Sequence, residues 1–149
     1  MLTEQNAAVA RRWFTEGWTG NMHIADEIFA ADFTTNGQRV GPAGPKRNVA
    51  NRLAGFPDLQ STLEDQVAVD DRVVTRVLWS GTHTGPYSGI QPTGIRVEQR
   101  GIIMWRFADG HVVEDWTVAD QFGLLQQVGL VPAGVIGVQV PESETHAAG

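Results

Sequence analysis

At 149 residues, with 42% apolar and 19% charged side chains, the chain has the composition of one folded domain rather than a disordered segment. Its formal charge of −6 disfavours nucleic acid as a partner, because neutralising phosphates takes a basic face. It has no cysteine, which removes disulfides, thiolate nucleophiles and Cys-based metal sites together.

Thr3 to Trp18 reads as a helix: Thr3 suits the N-cap, and Ala7, Ala10, Trp13, Phe14 and Trp18 recur at helical spacing. "HIADEIFA" (23–30) predicts a short second helix with Ile24, Ile28 and Phe29 on one side. "DFTTNGQ" predicts a strand running into an Asn36-Gly37 turn. After the loop "GPAGP" (41–45), "KRNVANRLAGFPD" predicts a third helix ended by Gly55 and Pro57. From Leu59 the pattern becomes strands. Two flank an Asp70-Asp71 turn, and "RVEQRGIIMWRF" and "HVVEDWTVAD" flank an Asp109-Gly110 hairpin turn. "QFGLLQQVG" closes as a short helix with Gly129 as its stop.

Helices followed by a strand meander imply an α+β domain, with helices packed on one face of a curved antiparallel sheet. It spans residues 1–131, and 132–149 form a tail, partly disordered, that ends in small polar residues. No apolar run reaches the ~20 residues of a membrane span, and "MLTEQNAAVARRWF" lacks the features of a signal peptide. A soluble cytoplasmic protein is expected.

Two acids stand out in "EDWTVAD". Strict strand alternation puts Val112, Glu114, Trp116, Val118 and Asp120 on one face, and Asp115, Thr117 and Ala119 on the other. Trp116 and Val118 suggest that the first face is the inner one. Across the hairpin Ile103, Trp105 and Phe107 form the matching apolar set. Asp120 is then expected to sit at the deep end of an apolar face, next to the aromatics, and Asp115 to face outward. From spacing alone Asp120 is equally a helix N-cap, and the two roles are compatible.

The pattern Glu114-x-Trp116-x-x-x-Asp120-x-x-Gly123-Leu124-Leu125-x-Gln127-x-Gly129 resembles the SnoaL-like family. So do "FPDL" (56–59) with the following "EDQVAVDDRVVTRV", and "SGTHTGPYSGIQPTG" (80–94). The resemblance implies a cone-shaped α+β barrel of the nuclear-transport-factor-2 type. It also implies tailoring of aromatic, anthracycline-type polyketides in antibiotic biosynthesis by cyclisation or hydroxylation, without metal, flavin or nicotinamide. The family's catalytic carboxylate, carried over, falls on Asp120. There is one departure: the family's G-I-x-I-H-R-F reads Gly101-Ile102-Ile103-Met104-Trp105-Arg106-Phe107 here, so Trp105 stands in the histidine's place.

A carboxylate walled by Trp105, Trp116 and Val118 loses solvation, and its pKa rises to where it can take and return a proton. A carbon acid between two carbonyls suits such a base, and His83, Asn36, Tyr87 and Gln99 are candidate donors to the enolate oxygen. Ketosteroid isomerase couples a carboxylate to oxyanion donors for a comparable step. A flat aromatic substrate would stack on Trp105 and Trp116. The enolate can close a ring by intramolecular aldol addition or add molecular oxygen, with or without a separate reductase. The missing histidine removes an acid for the aldol alkoxide and so favours hydroxylation. A non-catalytic binding module is the reading from another class.

Other features have plainer explanations. His83, between small polar residues, could equally be a turn or surface histidine, and His23, His111 and His146 have no partners at metal-ligand spacing. Trp13, Trp18, Trp79, Trp105 and Trp116 suit core packing, with one or two touching substrate. Val74, Leu78, Met104 and Ala119 on the outer sheet face need cover, which a homodimer supplies.

Overall fold

The computed structural model describes residues 2–135; His146 and the tail from 136 onward lie outside the described residues. Helix α1 (Leu2–Thr15) buries Asn6, Ala7, Ala10, Trp13 and Phe14 as one stripe, as its apolar spacing requires. It gives way to a 3-10 turn at Gly17–Thr19, where a side chain on Gly17 would collide with the Trp13 ring. A second 3-10 turn (Met22–Ile24) leads into the single-turn α2 (Ala25–Ile28). Strand β1 (Phe29–Thr35) then begins earlier than the sequence pattern implies. Phe29 pairs with Val112, a partner 83 positions away that no local helical pattern contains.

After the two-residue β2 (Gln38–Arg39), α3 (Ala43–Gly55) starts inside the expected Gly-Pro loop. A meander follows: β3 (Gln60–Val69), β4 (Arg72–Thr82), β5 (Arg96–Ala108) and β6 (His111–Ala119), ending in α4 (Gln121–Gln127). The six strands form one sheet in the order β2-β1-β6-β5-β4-β3. It is mixed rather than purely antiparallel, because β1 lies parallel to β6. The class is α+β, as expected. Among the described residues no helix is long and apolar enough to cross a membrane.

Strand β5 alternates without a fault: Val97, Gln99, Gly101, Ile103, Trp105 and Phe107 are buried, and Glu98, Arg100, Ile102 and Met104 are exposed. On β4, Val73, Thr75, Val77 and Trp79 complete the inner surface. Helix α1 covers it, with Phe14 meeting the Trp105 ring edge-on at 5.7 Å.

Strand β6 does not alternate in this way. Phe107 pairs with Val112 but Arg106 pairs with Glu114, so Val113 is an extra residue. This β-bulge exchanges the two faces for everything after it. Asp115, Thr117 and Ala119 therefore turn inward, whereas Trp116 (51% exposed) and Val118 (77% exposed) turn outward. The expected inner placement of Trp116, Val118 and Asp120, and the outer placement of Asp115 and Ala119, are corrected by this single insertion.

Gly101 keeps the wall thin. A Cβ there would lie 2.6 Å from the Trp79 ring. Gly101→Ala should therefore lower stability by about 1–3 kcal/mol through overpacking, read as a lower urea midpoint with an unchanged slope.

Candidate active site

The inner sheet face, α1 and α3 enclose a cavity of about 410 Å³. Its walls are aromatic: Trp13, Phe14 and Trp18 from the N-terminal segment, Phe29 and Phe33 from β1, and Trp79 and Trp105 from the meander. Gly44, Pro45, Asn48 and Arg52 face it from one side of α3. Its polar side chains include Thr35, Asn36, Thr117 and Gln121, and its charged groups are Asp115 and Arg52.

Asp115 lies opposite Trp105 in the β5–β6 register and is 9% exposed. The Thr35 hydroxyl, 80 positions away, donates to its Oδ1 at 2.5 Å. The parallel pairing of Thr35 with Asp115 makes that contact possible. Burial pushes the Asp115 carboxyl up to about 6, and the Thr35 hydrogen bond opposes the shift only in part. The other carboxylate oxygen has no partner among the described residues. The group therefore exchanges a proton near neutrality inside an aromatic enclosure.

The expected site residues separate into three groups. Trp105 lines the cavity, but its indole N–H is committed to the Thr75 hydroxyl at 2.9 Å. Asn36 lines it too, with its amide clamping both backbone groups of Thr117: Oδ1 accepts from the N–H at 2.8 Å and Nδ2 donates to the carbonyl at 3.3 Å. Gln99 is buried behind the cavity, accepting from Arg52 and donating to Gln121 at 3.2 Å.

Asp120, Trp116, His83 and Tyr87 are placed elsewhere. Asp120 is exposed and accepts from the Gly123 N–H at 2.9 Å, which makes it the N-cap of α4. The bulge turns its side chain away from the apolar cavity. Trp116 lies on the outer face and donates to Glu114 at 3.2 Å. His83 is fully buried in a second core cluster region, its ring 5.3 Å from Phe56. Its Nδ1 accepts from the Thr93 N–H at 3.3 Å, so it pins the loop before β5. Tyr87 packs on Phe56 and Arg52 without lining the cavity.

Sequence reasoning missed Asp115, Thr35 and Arg52 as cavity residues. Arg52 carries no motif, and Thr35 is recognisable only through its distant strand partner. Among the described residues no group of three or more His, Asp or Glu is gathered as for a metal ion.

An acid whose folded pKa lies above its ordinary value costs stability once the unfolded chain ionises. For Asp115 that cost is absent below pH ~4, grows as pH rises toward ~6 and is constant above it. Asp115→Asn should thus gain stability relative to the parent as pH rises from 4 to 8, on the order of 3 kcal/mol, measured by urea unfolding at both pH values.

Comparison with known proteins places the arrangement. A SnoaL-like protein from Jannaschia sp. CCS1, a candidate polyketide cyclase, superposes with a TM-score of 0.78 at 26% identity, covering 88% of this chain and 96% of that one. AclR from Streptomyces galilaeus, a candidate hydroxylase, gives 0.79 at 28% identity, covering 98% and 90%. IdmH from Streptomyces antibioticus, a candidate polyketide cyclase, gives 0.75 at 28% identity, covering 84% and 99%. No curated protein sequence matches the chain. The profile of the family described as SnoaL-like polyketide cyclase matches residues 8–128, and with the cavity and sheet arranged as above the chain belongs to that family.

Proposed function

We propose that the protein is a cytoplasmic tailoring enzyme of aromatic polyketide biosynthesis, acting on anthracycline-type intermediates through a substrate enolate. Asp115 is its base. The observation carrying this reading is the near-neutral, half-satisfied carboxylate of Asp115 inside an aromatic cavity. A base of this kind removes a proton from a carbon between two carbonyls, and the indole and phenyl walls hold the flat ring system by offset stacking.

The enolate then reacts by one of two routes. In hydroxylation its carbon adds molecular oxygen to give a hydroperoxide. Reducing the O–O bond to an alcohol and water takes two electrons and two protons, supplied by a separate reductant. Trp105 supports this route: it stands in the place of the family's histidine, directly opposite Asp115, and its N–H already serves Thr75. An aldol alkoxide would find no second acid at Trp105 beside Asp115. Ring closure is the second reading, supported by the likeness to IdmH, with Asp115 returning its proton to the alkoxide. A module that only binds would need no ionisation of Asp115 for its task.

The outer sheet face supports a homodimer. Val67, Val74, Met104 and Trp116 pair in turn across four strands, and Val67, Met104 and Trp116 are 56%, 44% and 51% exposed. Covering them removes apolar surface from water. Light scattering at micromolar concentration should give twice the chain mass, and Trp116→Glu should return the monomer.

Asp115→Asn should lower turnover of the polyketide substrate by about 10²–10⁴-fold. Asp120→Ala should retain it while losing about 0.5–2 kcal/mol of stability as a lost cap. The rate should rise about tenfold per pH unit below ~6 and level off above it. The opposite ranking of the two variants would make Asp120 the base. Product mass under labelled oxygen separates the routes: incorporation marks hydroxylation, and an unlabelled isobaric product marks ring closure.

A further inference from the structure

Arg52 carries a charge that the protein does not answer. It projects from α3 into the cavity, and among the described residues no carboxylate lies within ion-pair distance. Its one hydrogen bond there runs from Nη1 to the Gln99 side-chain oxygen. A guanidinium has five N–H donors, and the four that Gln99 does not take are open to solvent or a ligand, since Arg52 is only half-buried. The ring faces of Trp79 (5.3 Å) and Tyr87 (5.8 Å) flank it, and they satisfy a cation weakly without accepting its in-plane hydrogen bonds. Burial disfavours the charge, and Arg52 is nonetheless held charged by the very high intrinsic proton affinity of a guanidinium.

Its neighbours sharpen the imbalance. Trp79 lies against Trp18 at 5.4 Å, and the indole N–H groups of both are buried without a partner among the described residues. This part of the wall is therefore a set of donors short of acceptors. Asp115 does not make up the deficit. It sits at the level of Trp105, whereas Gln99, the partner of Arg52, lies six residues away along β5. That is roughly 20 Å of strand, less the reach of the two side chains.

We infer that Arg52 receives a planar oxyanion, carboxylate or phenolate, at a part of the substrate remote from the carbon acid presented to Asp115. The inference deepens, and rests on, the reading of the cavity as an aryl substrate site. It makes the substrate an elongated aromatic acid. Gln99 holds one Nη1 hydrogen and so orients the remaining donors for a two-point grip on the anion, the geometry that distinguishes arginine from lysine.

The test uses commercially simple probes on the intact protein: anthraquinone-2-carboxylate and the isosteric anthraquinone-2-carboxamide, titrated by quenching of tryptophan fluorescence. The parent should bind the carboxylate about ten to a hundred times more tightly than the amide. Arg52→Gln should erase that preference while still binding the amide, and Arg52→Lys should keep part of it. Asp115→Asn should leave the preference intact. Raising the pH through the phenol pKa of 2-hydroxyanthraquinone should tighten its binding to the parent and not to Arg52→Gln. Equal binding of carboxylate and amide by the parent, or a preference that survives in Arg52→Gln, overturns the inference and leaves the aryl site standing. Binding of neither compound by the parent overturns the aryl site and the inference with it. Circular dichroism confirms the fold of each variant, and if Arg52→Gln does not fold, the carboxylate preference of Arg52→Lys decides: undiminished, it overturns the two-point grip.

Discussion

An extra residue in one strand decides which carboxylate this protein keeps inside. Val113 has no partner on β5, and the pairing resumes one position out of phase at Glu114. Every later side chain of β6 changes face as a result. Asp115 arrives opposite Trp105 and beside Thr35, Thr117 and Ala119 join the cavity wall, and Trp116 and Val118 emerge on the outer surface. Asp120 is thereby released to cap α4. The bulge sits next to the β5–β6 turn, where an altered register disturbs the fewest pairs, and its effect is carried along the whole strand.

The cavity that results contains two charges that do not neutralise each other. Asp115 answers to burial and to Thr35; Arg52 answers to burial, Gln99 and the rings of Trp79 and Tyr87. Separate unpaired charges in an apolar enclosure cost folding free energy that a hydrophobic pair of similar volume would not. The aromatic scaffold offsets that cost. Phe14, Phe29 and Trp105 interlock at ring distances of 5.7 and 6.1 Å, so the residues that line the cavity are also those that hold the helices on the sheet. Site and core share one set of side chains.

Trp105 shows how that sharing constrains chemistry. Its ring supports Phe14 and Phe29, and its N–H satisfies Thr75, itself fully buried on β4. A histidine at this position would present a titratable nitrogen beside Asp115. The tryptophan presents only a surface. The titratable group at this end of the cavity is the Asp115 carboxylate, while the polar chain of Arg52, Gln99 and Gln121 lies farther along β5.

Much of the fold was legible from the chain itself. Helical spacing marked α1, the Asp109-Gly110 pair marked the last hairpin, and alternation assigned both faces of β5 correctly, because each of these signals is local. The apolar inner face of β5 and the position of Trp105 on it followed from the same periodicities, whereas the cavity over that face was what the family resemblance implied. The identity of the acid did not. Alternation in β6 read from Val112 forward is right for one residue and reversed after the bulge, and the bulge appears only when β5 is laid beside β6. The early start of β1, the parallel contact between Thr35 and Asp115, the burial of His83 under the loop it pins, and the unanswered charge of Arg52 are likewise relations between distant segments. Sequence determined the elements, since propensity and periodicity act within a few residues. Tertiary pairing decided which side chains meet, since register is settled between strands that the chain order does not compare.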